Sequence, residues 1–326
     1  MPVADGNYRA AAEDFLVSES GAKPSGEGEH CYLRVRKTGQ NTRWVAKEIA
    51  RELRIPFKAV SYAGLKDRHA ITEQWFGVHM PGQAEPDFHS LAIEGVEVLE
   101  VARHNKKLRQ GELSYNSFSI RVRDCSYASV EELEGRLEQI AMTGVPNYFG
   151  PQRFGQGLSN LDLPGNIQQL ADLPRERRSF VISALRSALF NAYLAQRVRR
   201  QVWAEALPGE ITISDRSRGL AEEDQSVFVA ERLPAGILWG AGVVFPANEA
   251  AEHEREFLAG FPAVCGLLES AGARASRRVL RARVANMRWQ LQDDEINLEF
   301  ALGPGSYATA VLHEIGEFND LGSQYA

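Results

Sequence analysis

The stretch AGLKDRHA, residues 63–70, is the densest cluster of side chains in this chain that could do chemistry. Asp67 stands between Lys66 and Arg68 and closely follows Gly64, a residue that favours a tight turn. Nearby positive charge stabilises a carboxylate, so Asp67 is expected to be ionised and could act as a nucleophile. The same pattern is typical of an aspartate that only caps a turn through backbone amides. These residues alone leave both interpretations open.

Other site chemistries fit the neighbouring residues poorly. A metal site made from Asp67, His69 and His79 would lack the H-E-x-x-H spacing of a helical site. The run GLK lacks the upstream Gly and the following Ser or Thr of a P-loop. His30 and Cys31 are adjacent on a predicted strand and point to opposite faces, which argues against a Cys/His nucleophile. Neither G-x-S-x-G nor G-x-G-x-x-G occurs.

A second informative segment is PNYFGPQRFG, residues 146–155. Its aromatic, amide and arginine side chains alternate with glycines, a composition that suits stacked bases and closely approaching phosphates. A rigid Gly/Pro connector with aromatic residues packed in the core would have the same composition. Both interpretations stay open here too.

The elements that must position these residues follow from hydrophobic periodicity and capping signals. Asn41 predicts the start of a helix with Trp44, Val45, Ile49 and Leu53 on one stripe. The predicted strands are 32–36, two within 60–80 on either side of a turn at Gly64–Arg68, 112–123 and 296–302. The other predicted helices open at Ser129 and stop at Gly144, or cover 175–207, about 248–259, and a short segment after GPGSYAT.

The distribution of these elements indicates more than one domain. Strands dominate the first part of the chain, helices dominate after Gly144, and a strand returns at 296–302. That last strand is expected to rejoin the first sheet. The length of 326 residues indicates roughly two domains at about 150 residues each.

Composition and cysteine usage narrow the class of protein. The chain is 44% hydrophobic and 25% charged, with three widely spaced cysteines and no C-x-x-C pair. No apolar run approaches the ~20 residues of a membrane span, and the N-terminus is too polar for a signal peptide. We therefore expect a cytoplasmic protein with no membrane partner.

Charge is unevenly distributed along the chain. The net charge is −6, yet RHNKKLR at 103–109 contains no acid, and neither does 274–288, which holds six arginines. Binding of phosphate depends on the local field rather than on the net charge. Solvated helix faces would show the same pattern, so charge alone leaves a nucleic-acid partner open.

Longer motifs extend over nearly the whole chain, and together they resemble the TruD family of tRNA pseudouridine synthases. YAGLKDRHA and NYFGPQRFG are the most specific of them. The matching stretches are EDFLVSE near residue 13, GEGEH (26–30), NTRWVAKEIA (41–50), YAGLKDRHAITEQW (62–75), ARHNKKLRQGEL (102–113), NYFGPQRFG (147–155), SALRSALFN (183–191) and GSYAT (305–309).

The resemblance implies an isomerase that converts uridine, at position 13 of tRNA, to pseudouridine. Asp67 falls at the catalytic aspartate of the family. Arg9 falls where relatives carry a basic residue that pairs with this aspartate, and Arg9 or Lys66 would help to keep Asp67 ionised. The reaction replaces one bond with another, so we expect no metal and no organic cofactor.

The resemblance also implies which residues contact the substrate. Asn116 and Phe118 match an N-x-F pair beside the catalytic aspartate, and Phe15 and Tyr307 match aromatic contacts to the base. The family commonly has Gly before this Asn, and Tyr115 in its place is expected to alter the rim of the pocket. Core packing is the alternative role for the aromatic residues.

The family fold implies an α+β protein with a mixed antiparallel-sheet catalytic domain built from both chain ends, residues 1–141 and 282–326. An inserted α/β domain particular to the family would occupy 142–281. The RNA would lie in the cleft between the two domains in a monomer. The residues expected to meet its phosphates are Lys106, Lys107, Arg109, Arg153 and the arginines of 274–288.

A second function, from another class, stays open on the sequence. A non-catalytic RNA-binding or RNA-folding protein could keep this scaffold without turnover. The intact Asp67 favours catalysis, because a binder has no need of an ionised carboxylate that faces an anionic polymer.

Overall fold

The computed structural model describes residues 2–161, 167–214 and 231–322. Its strands are β1 (Ala4–Tyr8), β2 (Phe15–Ser20), β3 (His30–Thr38), β4 (Val60–Tyr62), β5 (Ile71–His79), β6 (Val96–His104), β7 (Tyr115–Tyr127), β8 (Val145–Pro146), β9 (Thr212–Ser214), β10 (Arg232–Leu238), β11 (Ser276–Val279), β12 (Arg281–Ala282), β13 (Val284–Gln292), β14 (Glu295–Leu302) and β15 (Gly316–Asp320). Its helices are α1 (Thr42–Glu52), α2 (Val130–Thr143), α3 (Ile167–Asp172), α4 (Arg175–Arg199), α5 (Asn248–Leu258), α6 (Pro262–Ser270) and α7 (Ala308–Ile315).

Ten strands form one mixed sheet in the order β13-β14-β7-β2-β5-β3-β6, with β1 beside β7, β15 beside β1, and β4 beside β5. The pairs β2–β5 and β1–β15 are parallel, and the other neighbours are antiparallel. The expected α+β class is therefore confirmed. So is the return of the predicted 296–302 strand, because β14 pairs with β7 in the first sheet.

Helices α2 and α7 cover one face of this sheet. Strand β7 alternates, and its buried residues Phe118, Ile120 and Val122 face the core that α2 completes with Leu133 and Leu137. The Ser129 hydroxyl accepts a hydrogen bond from the Glu132 N–H at 3.1 Å, so the predicted N-cap is present. Gly144 ends the helix at φ +77°, and a Cβ there would lie 2.3 Å from the Ala282 carbonyl oxygen.

The middle of the chain has its own core. Helix α4 packs against the antiparallel sheet β11-β10-β9, and α5 and α6 complete this second core. Its fully buried side chains include Phe190, Tyr193 and Leu194 from α4. The chain enters and leaves this region side by side, because β8 pairs with β12.

Several predicted boundaries are wrong, for local reasons. The helix predicted over 175–207 ends at Arg199, since Gln201 is left-handed at φ +58°. The turn around Asp67 covers all eight residues between β4 and β5 rather than five. Trp44 of α1 is 36% exposed, whereas Val45, Ile49 and Leu53 of the predicted stripe pack in the core, so only the Trp44 position is wrong.

No helix within the described ranges combines the length and the apolar character that a membrane crossing requires.

Candidate active site

A cavity of about 710 Å³, here called the Asp67 cavity, lies where the ten-stranded sheet meets the middle region. Strands β2 and β7, the β4–β5 loop and the start of α7 supply one wall, and residues of the middle region, Phe180 among them, supply the other. It brings together eight of the residues that the sequence singles out. They are Arg9, Phe15, Lys66, Asp67, Asn116, Phe118, Arg153 and Tyr307.

The loop that carries Asp67 is fixed from beneath by hydrogen bonds to its backbone. The Lys37 ammonium donates to the Asp67 carbonyl at 2.7 Å and to the Gln40 carbonyl at 2.8 Å. The Lys66 N–H donates to the Thr42 hydroxyl at 3.0 Å. The side chain of Asp67 is 41% exposed, so its carboxylate reaches the cavity from a held backbone.

Lys37 is a site residue that the sequence analysis did not identify. It lies at a fully buried position of β3, in register with Leu33 and Val35. Burial lowers the pKa of Lys37 to about 8, and the Asp67 charge opposes that shift. The signal available in the sequence was a lysine one residue beyond the predicted 32–36 strand, in the same alternating register as the apolar Leu33 and Val35.

Arg9 connects two carboxylates at the cavity. Its guanidinium lies 3.2 Å from Asp67 Oδ2 through Nη2 and 3.0 Å from Asp320 Oδ2 through Nη1. The residue follows β1 with a left-handed backbone at φ +57°, which turns its side chain toward Asp67. Because β1 and β15 pair with Tyr8 opposite Asp320, the two chain ends position this bridge. The pairing implied for Arg9 is present, and Asp320 is a partner that the sequence did not reveal.

Lys66 has a different partner from Asp67. Its ammonium lies 2.5 Å from Glu19 Oε2, and the two side chains are 6% and 1% exposed. Glu19 also accepts a hydrogen bond from the Trp75 N–H at 3.4 Å. Lys66 was expected to support the Asp67 carboxylate. In this structure it pairs with Glu19 of β2 and so anchors the backbone next to Asp67 to the sheet.

The aromatic residues of the site differ in how much they present to the cavity. Phe15 is 1% exposed, and the Arg9 guanidinium covers its ring at 4.1 Å, so Phe15 supports Arg9 here. Phe118 lies between Phe15 and Phe300, with ring centroids at 6.2 and 5.4 Å. Tyr307 is half-buried at the N-cap of α7 and presents its ring to the cavity.

Asn116 contributes a polar edge to the same wall. It pairs with Glu19 and Leu302 on the neighbouring strands. Its Oδ1 is buried and has no hydrogen-bond partner among the described residues. Asn116 Oδ1 is therefore an acceptor of the site whose hydrogen bond within the described protein is unmade.

The PNYFGPQRFG segment divides between core and cavity. Phe149 and Phe154 belong to the second core at 9% exposure each, as the connector interpretation predicts. Arg153 reaches the cavity, where it donates to the Tyr307 hydroxyl and to the Ser183 hydroxyl, each at 3.1 Å. The segment thus links the middle region to Tyr307.

The basic segments lie in two settings. Lys106, Lys107 and Arg109 are exposed on the β6–β7 loop and do not line the Asp67 cavity, but Gln110 and Gly111 of that loop do. In the 274–288 segment, several arginines have protein partners. Arg277 pairs with Glu254, Arg278 donates to Asn147, and Arg281 pairs with Glu231.

Within the described ranges, no group of three or more His, Cys, Asp or Glu side chains is arranged to hold a metal ion.

Comparison with known proteins identifies the family. The family model described as tRNA pseudouridine synthase D (TruD) matches residues 1–167 and 158–315. A tRNA pseudouridine synthase D from Aeromonas salmonicida is 41% identical, over 97% of this chain and 92% of the relative. Another, from Xanthomonas axonopodis pv. citri, is 42% identical, over 96% and 92%. The chain belongs to the TruD family.

A solved structure supports the fold assignment for this TruD chain. The protein, described as a putative TruD from Methanosarcina mazei, superimposes with a TM-score of 0.70 at 22% identity and covers 96% of this chain and 93% of its own. At that identity the match shows the fold alone. The resemblance deduced from the motifs is confirmed by the family match.

Proposed function

We propose that this chain is a tRNA pseudouridine synthase that isomerises a uridine, the one at position 13 of tRNA, with Asp67 as the catalytic carboxylate. TruD membership supports the reaction class. The observation that carries the residue assignment is the Asp67 carboxylate, 41% exposed on the cavity and held 3.2 Å from the Arg9 guanidinium.

The chemistry requires one group that acts on the ribose or the base. The C1′–N1 bond breaks, the uracil turns, C5 joins C1′, and the proton leaves C5 while N1 gains one. A carboxylate can serve by attack on the base, by attack on the ribose, or by removing a ribose proton. Each route uses the Asp67 carboxylate, which the ion pair with the Arg9 guanidinium holds at the cavity.

The cavity walls suit an unstacked uridine. Taking a base out of its stack costs about a few kcal/mol, and stacking on an aromatic ring returns about 1–3 kcal/mol. Tyr307 and Phe118 line the cavity and are the rings assigned to that contact, with Phe15 behind Arg9. The unpartnered Asn116 Oδ1 would accept a hydrogen bond from a uracil N–H.

The surface around the cavity suits the rest of an RNA. Lys106, Lys107 and Arg109 project from a loop that is joined to the Asp67 loop by the hydrogen bond from the Gly111 N–H to the Ala63 carbonyl, 2.8 Å. We assign them to phosphates, with Arg153 on the opposite wall.

The proposed domain division is 1–141 and 282–326 for the catalytic domain and 142–281 for the insertion. The pairing of Ala282 with Val145 supports these limits, since it places the two crossing strands side by side. The cavity then lies between the domains.

The proposal is tested with unmodified tRNA transcripts that carry U13, alongside matched transcripts that carry C13, with a metal chelator present. We expect pseudouridine at position 13 of the first set and none in the second. Tight binding of both sets without product would support the RNA-binding alternative. Product at another uridine would overturn the assignment of position 13.

A further inference from the structure

A second cavity of about 460 Å³, here called the arginine cavity, adjoins the Asp67 cavity. The two share Arg153, Ser183, Pro304 and Ser306. Six arginines line the arginine cavity, and no Asp or Glu does among the described residues. They are Arg153, Arg186, Arg277, Arg278, Arg281 and Arg283. A concave site of one sign concentrates counter-charged ligands.

Three of these arginines lack a carboxylate partner among the described residues. Arg186 donates to the carbonyls of Leu238, Trp239 and Arg274 and to the Ser276 hydroxyl, at 2.8–3.0 Å. Arg278 donates to Asn147 and to the Gly305 carbonyl, and its guanidinium lies 4.0 Å above the Phe149 ring. Arg153 has the two hydroxyls described above. Neutral acceptors orient these cations and leave their charge uncompensated.

The same cavity holds guanidinium groups with donors that are not used. The Nε atoms of Arg153 and Arg281 are buried and have no hydrogen-bond partner among the described residues. Burial lowers the pKa of Arg278 to about 10, since its charge has left water without an anion beside it. A bound anion would offset this cost of desolvation.

Two arginines of the cavity, Arg281 and Arg283, share a carboxylate partner outside its lining. Glu231 accepts two hydrogen bonds from Arg281, both at 2.8 Å, and lies 3.7 Å from Arg283 Nε. It is 47% exposed and does not line the cavity. Arg281 and Arg283 are 16% and 23% exposed, whereas Glu231 is half exposed, so the acid is the partner that solvent and an incoming anion can reach.

We infer that the arginine cavity binds a phosphate of the RNA strand, the one that belongs to a nucleotide next to the target uridine. This inference rests on the proposed function, because it takes the target uridine to lie in the Asp67 cavity. Shared walls bring the neighbouring nucleotide of the same strand to the second cavity. Arg281 and Arg283 then exchange Glu231 for the phosphate, and the Arg278 guanidinium offers a flat surface beside it.

Replacing each partner of the Glu231–Arg283 ion pair in turn tests this inference, because the two replacements should change tRNA affinity in opposite directions. Glu231→Gln removes the competing carboxylate and should tighten tRNA binding about fivefold. Arg283→Gln should weaken it about tenfold and reduce the slope of log Kd against log salt by about one. Arg283→Lys should keep the slope. Arg200→Gln and Glu256→Gln, which alter an exposed pair outside both cavities, serve as matched controls for net charge.

Replacing one phosphate of the RNA with an uncharged linkage shows which phosphate the arginine cavity binds. A tRNA fragment with a single methylphosphonate on either side of the target uridine should bind wild type about tenfold more weakly at one of the two linkages. That penalty should shrink in Arg283→Gln. Equal penalties in both proteins, or Glu231→Gln binding no tighter than Glu256→Gln, would overturn the inference. Melting curves confirm that each variant is folded.

Three further outcomes separate this inference from its alternatives. Saturable binding of inorganic phosphate or uridine 5′-monophosphate that Arg283→Gln abolishes, with RNA affinity unchanged, would assign the cavity to a free anion and overturn the inference. If pseudouridine forms but Arg283→Gln changes neither tRNA affinity nor its salt dependence, the inference is overturned and the proposed function stands. The predicted binding changes without any product would support the phosphate site and refute the proposed function.

Discussion

At the residue scale, the charge around Asp67 has two separate sources. Arg9 reaches the carboxylate, and Lys37 holds the backbone of the same residue from the buried side. Lys66, the nearest base in the sequence, pairs with Glu19 instead. Asp67 lies in the cavity, as the sequence predicts. Of the two bases that the sequence offered as its partners, Arg9 pairs with it and Lys66 does not.

Replacement of Arg9 should separate chemistry from binding. Arg9→Ala frees the Asp67 side chain from its bridge to Asp320, and a misplaced catalytic group costs on the order of 100-fold in rate. We expect kcat to fall by about that factor while tRNA affinity changes much less. Asp320→Asn is the matched control, since Arg9 keeps Asp67, and its kcat should fall less. An unchanged kcat in Arg9→Ala, measured with tRNA in excess over the enzyme, would contradict the role of the bridge.

The lowered pKa of Lys37 should make the free energy of unfolding depend on pH. Its pKa is lowered from 10.5 to about 8 in the folded chain, so above pH 8 the unfolded chain binds more protons than the folded one. Stability contributed by this group therefore rises with pH, by about 2 kcal/mol between pH 7 and pH 10. Urea unfolding should show wild type gaining that amount relative to Lys37→Met. A difference between the two proteins that stays constant with pH would contradict the buried charge.

At the element scale, the end of α4 depends on one buried ion pair. Arg197 and Glu210 are 0% and 2% exposed and bond through both guanidinium nitrogens at 2.8 and 3.0 Å. Glu210→Gln leaves a buried cation without its counter-charge and should reduce the free energy of unfolding by about 3 kcal/mol.

The exposed pair three residues further on supplies the control for this helix end. Glu256→Gln, which breaks the ion pair with Arg200, should change stability by less than about 1 kcal/mol. Urea unfolding of both variants measures the contrast. Equal losses of stability would mean that the buried pair does not hold the turn after α4.

The sequence predicted those elements whose signals are local. The caps at Asn41 and Ser129 and the stop at Gly144 lie within one turn of the residues they control. Strand β2 was not predicted, because its buried Glu19 depends on Lys66, which lies 47 residues away. Likewise, no local pattern indicated Asp320, since its hydrogen bond with Arg9 joins residues 311 apart. Interactions of this range arise from the sheet order rather than from periodicity.

At the scale of the whole molecule, the net charge of −6 conceals two basic surfaces near the Asp67 cavity. The β6–β7 loop presents Lys106, Lys107 and Arg109 to solvent, and the arginine cavity adjoins the Asp67 cavity through shared lining residues. A tRNA that spans both would meet positive charge on either side of its target.

Charge reversal on the loop tests this placement. Lys106→Glu with Lys107→Glu should weaken tRNA binding and reduce the salt slope by about two, one for each phosphate that the loop no longer neutralises. Lys58→Glu, at an exposed position outside both cavities, is the control and should leave the slope unchanged. A slope that is the same in all three proteins would remove the loop from the RNA interface.

The central claim is that the Asp67 carboxylate carries out the isomerisation. The most direct test is single-turnover pseudouridine formation on an unmodified tRNA transcript, with wild type and Asp67→Asn compared, and tRNA affinity measured for both. Asp67→Asn keeps the size of the side chain and removes the charge that pairs with Arg9. We predict tRNA binding close to that of wild type and no detectable pseudouridine. Product formed at the wild-type rate by Asp67→Asn would contradict the claim.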